Sequence, residues 1–347
     1  MRTWSFDLNM DGASALIDNI VAQIKLVAKR TVISLFGHDP LLALKLRRLA
    51  SSNVVTILNL HRVDDRHESA YEAITPVLFD DLIGWLKQHF SIVTFAELNR
   101  TSRNKPLLIL SFDDGYKDFI EIVVPILERH SIRANENVIP GCVERGLPPM
   151  NVHVQDFIGQ APAALLREIS LFGLPRGVDP DNRALSCRRV SAAFKSRPIV
   201  EQKIIFAELE KQFARFDGFR PTPLMSIGDI RQLVLTHEIG THSFEHATMA
   251  VESDEYVAAD AVRCREWHTR KLGIAPEIYA FPNGKAGLGH SDIVRRAGYK
   301  HILLAGERFS ASGTHVHPRF TMRGASAPEL RYRAAGAMAA IRPTCIV

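Results

Sequence analysis

The sequence has few cysteines, and their spacing argues against a disulfide framework. Four cysteines, Cys142, Cys187, Cys264 and Cys345, are scattered along 347 residues without any Cys-x-x-Cys pair. Isolated cysteines of this kind are typical of reduced thiols. We therefore expect free thiols.

Long apolar runs and a secretory leader pattern are also missing. No run approaches the roughly 20 apolar residues that cross a bilayer, and the first residues lack a basic start followed by an apolar core and a small-residue cleavage site. Together with the cysteine usage, this leads us to expect a cytoplasmic protein.

Dense runs of one charge are absent as well. The formal net charge is +5, but lysines and arginines are dispersed, which argues against nucleic-acid binding. The remaining expectation is mild attraction to anionic lipids or glycans. With 46% apolar and 23% charged residues, the composition is that of an ordinary globular chain with one large domain or two.

Two adjacent carboxylates follow one of the short apolar runs. Residues 107–110 predict a buried strand, and after residues 111–112 come Asp113, Asp114 and Gly115. Neighbouring side chains of a regular strand point to opposite faces, but at a strand end a glycine lets both converge on one site. Like charges so close need a cation between them or a shared proton. Taken alone, the pair also fits a solvated acidic turn.

A pair of histidines lies far downstream. His242 and His246 are four residues apart, so on a helix or tight turn both imidazoles face one direction. Two histidines and one carboxylate make a three-ligand site with an open position, as catalytic zinc requires. With 14 histidines in the chain, a chance surface pair is the alternative. Combined with the acidic pair, the spacing favours a metal site.

These motifs resemble those of the polysaccharide deacetylase family, which carries the chitooligosaccharide (NodB-type) deacetylase domain. Residues 111–115 (Ser-Phe-Asp-Asp-Gly) match the family's Thr-Phe-Asp-Asp-Gly with one conservative change, and residues 242–246 match His-Ser/Thr-x-x-His. Residues 280–284 keep only the Pro and Gly of the third motif, Arg-x-Pro-Tyr/Phe-Gly. Residues 60–63 (Leu-His-Arg-Val) resemble the strand end Tyr-His-Arg-Val of many relatives. The resemblance extends over about residues 54–322.

The resemblance implies an α/β fold, a distorted (β/α)7 barrel, which the alternation of strand and helix patterns permits. We expect an N-terminal helical segment in residues 1–50, the barrel in residues 51–325 and a C-terminal helix in residues 326–347. A helical insertion at about residues 141–222 would serve as a lid, a substrate wall or an oligomer surface. Residues 14–50 are basic and amphipathic, which predicts either packing on the barrel or peripheral contact with the inner membrane.

Local capping signals predict two of the barrel's helices. Ser226 begins a capping-box pattern. Ser253 precedes a long helical pattern that Gly273 ends.

The metal and its ligands are assigned through the resemblance. One divalent ion, zinc in the first place and cobalt, nickel or manganese as alternatives, would be held by Asp114, His242 and His246. An open coordination position would remain for water and the substrate carbonyl oxygen.

Catalytic residues are assigned in the same way. Asp113 would be the general base. The motif arginine that orients this aspartate in the family aligns with Ala280, and Arg319 is the predicted substitute because its long stem carries the charge over a distance. The family often takes its general acid from a late Leu-x-x-His motif; His317 is the nearest residue to that position, with His315 and His290 as alternatives.

Four residues are expected to line the substrate site: His61, Pro282, Asn283 and Gly284. The predicted function is metal-dependent removal of an acetyl group from an N-acetylated sugar of a polysaccharide, oligosaccharide or lipid-linked glycan. One alternative is a deformylase or another amide hydrolase on a lipid-linked amino sugar. Two further classes are a two-histidine, one-carboxylate iron oxygenase, which would leave Asp113 without a role, and a carbohydrate-binding protein that has lost its chemistry.

Overall fold

The computed structural model describes residues 39–65, 73–98, 105–169, 178–337 and 339–342. The described strands form one nine-stranded sheet. They are β1 (Val54–Leu60), β2 (Ser91–Ile92), β3 (Leu107–Asp114), β4 (Asn135–Val138), β5 (Glu238–Thr241), β6 (Ile278–Ala280), β7 (His301–Ala305), β8 (Ser310–Ala311) and β9 (Val316–Thr321).

Seven of these strands are mutually parallel and close into a barrel in the order β1-β3-β4-β5-β6-β7-β9, with β9 pairing back to β1. The two short strands lie at its margin, β2 parallel to β3 and β8 antiparallel to β1. The predicted (β/α)7 barrel is therefore confirmed.

Helices surround the barrel and fill the long connection between β4 and β5. They are α1 (Asp39–Ala50), α2 (Pro76–His89), α3 (Val124–Arg129), α4 (Pro140–Arg145), α5 (Met150–Gln160), α6 (Ala163–Glu168), α7 (Arg183–Lys195), α8 (Ile199–Phe213), α9 (Ile227–Leu233), α10 (Asp254–Leu272), α11 (His290–Arg296) and α12 (Ala327–Ala334). In the described part of the chain, no helix has the length and apolarity to cross a membrane.

Burial explains why the central strands are apolar. β1 and β3 are buried along their whole length and pair from Val55 opposite Leu107 to Leu60 opposite Phe112. Parallel strands covered on both faces take near-continuous apolar sequences. This apolar pattern is what predicts β1 and β3 from the sequence.

The helices between β4 and β5 have an apolar core of their own. Phe157, Phe194, Leu209 and Phe213 belong to this cluster, which is separate from the main core of the barrel. It occupies the region where the sequence predicts a helical insertion.

The described residues include only part of the two predicted terminal segments. The amphipathic pattern in residues 14–38 lies outside the described residues, whereas α1 belongs to the predicted N-terminal segment. The predicted C-terminal helix is too long, because α12 stops at Ala334 and Gly336 adopts a left-handed φ of 81°. Cys142, Cys187 and Cys264 are buried free thiols, and Cys345 lies outside the described residues.

Candidate active site

The two adjacent carboxylates end β3 at the carboxyl edge of the barrel. Asp113 continues the strand, whereas Asp114 adopts a left-handed φ of 84° and Gly115 one of 77°. This turn brings both carboxylates near one imidazole, since His242 Nε2 lies 3.5 Å from Asp114 Oδ1 and 4.0 Å from Asp113 Oδ2. The carboxyl edge is where parallel barrels carry their active sites.

Asp114 and the two histidines have the geometry of a metal site. His246 Nε2 lies 3.6 Å from Asp114 Oδ1, and the three donor atoms are all within 4.8 Å of one another. Asp114 Oδ1 is buried and has no hydrogen-bond partner among the described residues. An unsatisfied buried oxygen facing two imidazole nitrogens fits a divalent cation, which ligands of this kind bind at about 2.0–2.2 Å.

Further contacts fix the orientation of these ligands. The Nδ1 of His242 lies 2.9 Å from the carbonyl oxygen of Ala280, so this nitrogen carries the proton and Nε2 is free for a metal. Tyr116 donates its hydroxyl hydrogen to Asp114 Oδ2 at 2.8 Å, which directs Oδ1 toward the histidines. Burial lowers the pKa of His246 to about 3, so this imidazole is neutral, as a metal ligand must be.

The histidines lie in the loop after β5, a turn rather than a helix. Ser243 and His246 adopt left-handed φ angles of 57° and 59°. Such conformations cost energy for residues with side chains and concentrate at functional sites. The backbone N–H of Phe244 donates to the Asp260 carboxylate at 2.9 Å, which holds the loop against α10.

Arg319 forms a two-pronged ion pair with Asp113. Its Nη1 and Nη2 donate to Oδ1 and Oδ2 at 2.9 and 2.8 Å, and both side chains are buried. Burial by itself would raise the pKa of the Asp113 carboxyl, but the charge and hydrogen bonds of Arg319, together with the charges of His242 and His61, outweigh it and hold the pKa well below its usual range. The pairing anticipated from the sequence is present, and its importance for turnover stays a prediction.

Sequence reasoning missed the polar residues of β4 that support this pair. Asn137 donates to Asp113 Oδ1 at 2.8 Å, and Asn135 accepts the Ser111 hydroxyl at 2.7 Å. Between them, Glu136 accepts the N–H of Gly115 at 2.9 Å, and burial, followed by the charge of Asp113, raises its pKa well above the usual range. The available signal was an Asn-Glu-Asn triplet inside a buried strand, where polar residues need partners.

His61 lies at the same edge of the barrel, directly after β1. It is close enough to Asp114, Asp113 and His242 to interact with their charges, and its side chain is partly exposed. Burial lowers the pKa of His61, and the two carboxylates oppose that shift. The structure therefore brings this predicted substrate-site residue to the metal ligands.

His317 is placed differently from the prediction. Its Nδ1 lies 2.8 Å from the Ser310 hydroxyl and its Nε2 lies 3.0 Å from His301 Nδ1, so both ring nitrogens have partners. His301 begins β7, and His317 precedes Arg319 by two residues on β9, so the imidazole lies toward the amino ends of the strands. The assignment of His317 as the general acid is not retained, because its position on the strand carries it away from the carboxyl edge.

The Pro-Asn-Gly residues after β6 form a tight turn that supports the histidine loop. Asn283 has a φ of 58° and donates its amide N–H to the Thr248 hydroxyl at 2.9 Å, two residues beyond His246. A Cβ at Gly284 would overlap Ala305, so glycine is required there. Pro282 is buried. Contact of these three residues with substrate stays a prediction.

Part of the chain is similar to a known protein family. The model of the polysaccharide deacetylase family matches residues 228–302, a stretch that includes His242 and His246. The chain is therefore similar to the polysaccharide deacetylase family over this stretch. Its departure from the family's third motif at Ala280 coincides with the Arg319–Asp113 pair, which supplies a guanidinium from a different strand.

Solved structures of deacetylases share the fold of this chain. The Streptococcus pyogenes deacetylase PplD is 14% identical over 81% of this chain and 98% of its own, with a TM-score of 0.54. IcaB from Ammonifex degensii is 16% identical over 82% and 98%, with a TM-score of 0.53. The polysaccharide deacetylase BC0361 from Bacillus cereus is 12% identical over 81% and 69%, with a TM-score of 0.52. At these identities the likeness concerns the barrel alone. A search of curated proteins by sequence gives no match.

Proposed function

We propose that this protein is a metal-dependent hydrolase that removes the acetyl group from an N-acetylated sugar of a polysaccharide, oligosaccharide or lipid-linked glycan. The observation that carries the proposal is the donor set of Asp114, His242 and His246 beside an aspartate, Asp113, that is paired with Arg319. An acyl-transfer site needs both parts, a group that stabilises charge and a base next to it.

A divalent metal held by Asp114, His242 and His246, with zinc as the first candidate, would polarise the acyl carbonyl and make water more acidic. Asp113 would accept the proton of the attacking water. Arg319 keeps that carboxylate ionised and, with Asn137, holds it in one orientation. Asp113 is suited to this task by its position, 4.0 Å from His242 Nε2.

The departing amine needs a proton, and His61 is the residue proposed to supply it. It lies at the carboxyl edge, interacts with the charges of both aspartates and is partly open to solvent. Arg319 is committed to Asp113, and His317 is held by Ser310 and His301.

Acetate release from a chitooligosaccharide tests the proposal. The zinc-loaded protein is expected to release acetate, and Asp113→Asn is expected to retain the metal but lose about 10²–10⁴ in rate, because an amide accepts no proton. Asp292→Asn, at an exposed carboxylate paired with Arg295, serves as the control. Wild-type turnover by Asp113→Asn would show that the base is misassigned, and a metal-loaded protein that releases no acetate from N-acetylated glycans would refute the proposed function.

A further inference from the structure

The helices between β4 and β5 reach the metal ligands through the turn that joins α7 to α8. Ile199, the first residue of α8, packs with Ala247 and Met249 in the loop that follows the histidine pair. Its backbone N–H donates to the Glu252 carboxylate at 2.6 Å. This turn is therefore attached to the loop that presents His242 and His246, and Lys195 is the last residue of α7 before it.

Lys195 places a positive charge beside the metal ligands. Its side chain is half-buried, and its ammonium interacts with the charges of Asp114 and His246. Within the described residues, no ion pair includes Lys195, whereas Lys203 of α8 pairs with Glu245 at 3.3 Å. A cation that is partly removed from water without a close counter-ion costs free energy, so a ligand that supplies the counter-charge would be favoured there.

A second cation borders the same space. Lys285 follows the Pro-Asn-Gly turn directly, is exposed, and repels the charge of Lys195. The negative charges of the site are already engaged, since Asp113 is paired with Arg319 and Asp114 faces the histidines. Lys195 and Lys285 are two like charges close enough to repel each other, and an anion bound between them would relieve the repulsion.

We propose that Lys195 and Lys285 bind an anionic group of the substrate, a phosphate or a carboxylate carried near the acylated position of the sugar. The inference rests on the proposed function and narrows it to acidic sugars. Lysine ammonium groups are compact point charges that suit both anions. The β4–β5 helices would then contribute to specificity through a single charged residue at the end of α7.

Calorimetric titration of the zinc-loaded protein tests this with three sugars: N-acetylglucosamine, the same sugar with a phosphate on its anomeric oxygen, and N-acetylmuramic acid, which carries a carboxylate. At least one anionic sugar should bind about tenfold more tightly than the neutral sugar. Lys195→Met should lose this preference and bind the neutral sugar as wild type does, and Lys285→Met should weaken it. Lys211→Met, at an exposed lysine paired with Glu208, should keep the full preference.

Equal affinities of the wild type for all three sugars would overturn the inference. A preference that survives in Lys195→Met would also overturn it, because the anion would then be held by the metal alone. Comparison of the phosphorylated sugar with N-acetylmuramic acid identifies which anion is recognised. Acetate release without any charge preference would contradict the lysine assignment and leave the proposed function intact, whereas a charge preference without acetate release would contradict only the proposed function.

Discussion

Arg319 and Asp113 form a fully buried ion pair, and this pair determines the charge of the proposed base. Asp113 has 1% of its surface exposed and Arg319 none. Removing one partner of such a pair leaves an uncompensated buried charge, which costs about 3–5 kcal/mol. Without Arg319, burial would raise the pKa of Asp113.

Replacing Arg319 by methionine should therefore change both rate and pH dependence. A base with a depressed pKa is ionised above that pKa and loses its function as the pH falls through it. In Arg319→Met the pKa of Asp113 should rise, so the acid limb of the pH–rate profile should move to higher pH and turnover should fall while metal content stays unchanged. Acetate release measured across pH, with metal analysis alongside, checks this.

Arg331→Met is the matched control for Arg319→Met. Arg331 pairs with Asp81 at 3.0 Å on the surface, and such pairs contribute at most about 1 kcal/mol. Its variant should retain wild-type rate and pH profile. If Arg319→Met behaves in the same way, Asp113 does not depend on this arginine.

The close packing of β4 against β5 positions Asp113, the proposed base. A Cβ at Gly240 would overlap Asn137 Oδ1 and lie 2.9 Å from Ile278 Cβ. Asn137 donates to Asp113, so a side chain on β5 displaces a donor of the proposed base on β3.

Gly240→Ala should accordingly lower stability by about 1–3 kcal/mol through overpacking. It should also lower turnover more than metal content, because the displaced contact belongs to Asp113 and not to the three metal ligands. Thermal unfolding and acetate release measure the two effects. Gly228→Ala is the control, since that glycine is exposed in α9 with no heavy atom nearer than 3.5 Å and alanine favours helix. Equal behaviour of the two variants would contradict this account of the β4–β5 contact.

Elements with local signals were predictable from the sequence. The capping box of Ser226 and Asp229 begins α9, and Ser253 and Gly273 cap the two ends of α10. Contacts between strands were less predictable, because register decides them: Asn137 is opposite Asp113, and no spacing along the chain encodes that.

Two features of the site could not be predicted from the sequence for the same reason, because they depend on how distant segments pack. Alternation places His317 and Arg319 on the same face of β9, but the sequence does not tell where the strand ends and therefore whether His317 also reaches the carboxyl edge. Lys195 lies in the long β4–β5 connection, where its approach to Asp114 depends on how the helices dock.

Across the whole molecule, buried neutral histidines link stability to pH. Burial lowers the pKa of several of them to about 4 and that of His317 to about 3; those at about 4 are His153, His237, His268 and His301. Their contribution is complete above the ordinary histidine pKa of about 6.5 and is lost as the pH falls, because the unfolded chain takes up protons first. Five carboxyls whose pKa burial raises act in the opposite direction, against seven described histidines with a lowered pKa once His61 and His246 are included; these carboxyls are Asp118, Glu136, Glu238, Glu252 and Asp260.

The free energy of unfolding should therefore decrease between about pH 7 and pH 4.5. His153→Phe should make this decrease shallower by up to about 1.4 kcal/mol per pH unit, the value for one proton. The histidine ring stacks on Phe213 at 5.2 Å, and its Nδ1 has no hydrogen-bond partner among the described residues, so phenylalanine keeps the packing and removes the titration. Urea unfolding at several pH values tests this, with His315→Phe at an exposed site as the control. Equal slopes in His153→Phe and the wild type would contradict it.

Metal content tests the candidate metal centre most directly. The protein, His242→Ala and His315→Ala are each incubated with zinc, dialysed and analysed for bound metal. His315 is an exposed histidine whose ring bonds the Lys300 carbonyl at 3.1 Å, so its loss removes an imidazole without touching Asp114 or the paired histidines. We predict one ion per chain in the wild type and His315→Ala and little or none in His242→Ala. Equal metal content in the wild type and His242→Ala would contradict the assignment of Asp114, His242 and His246 as the ligands.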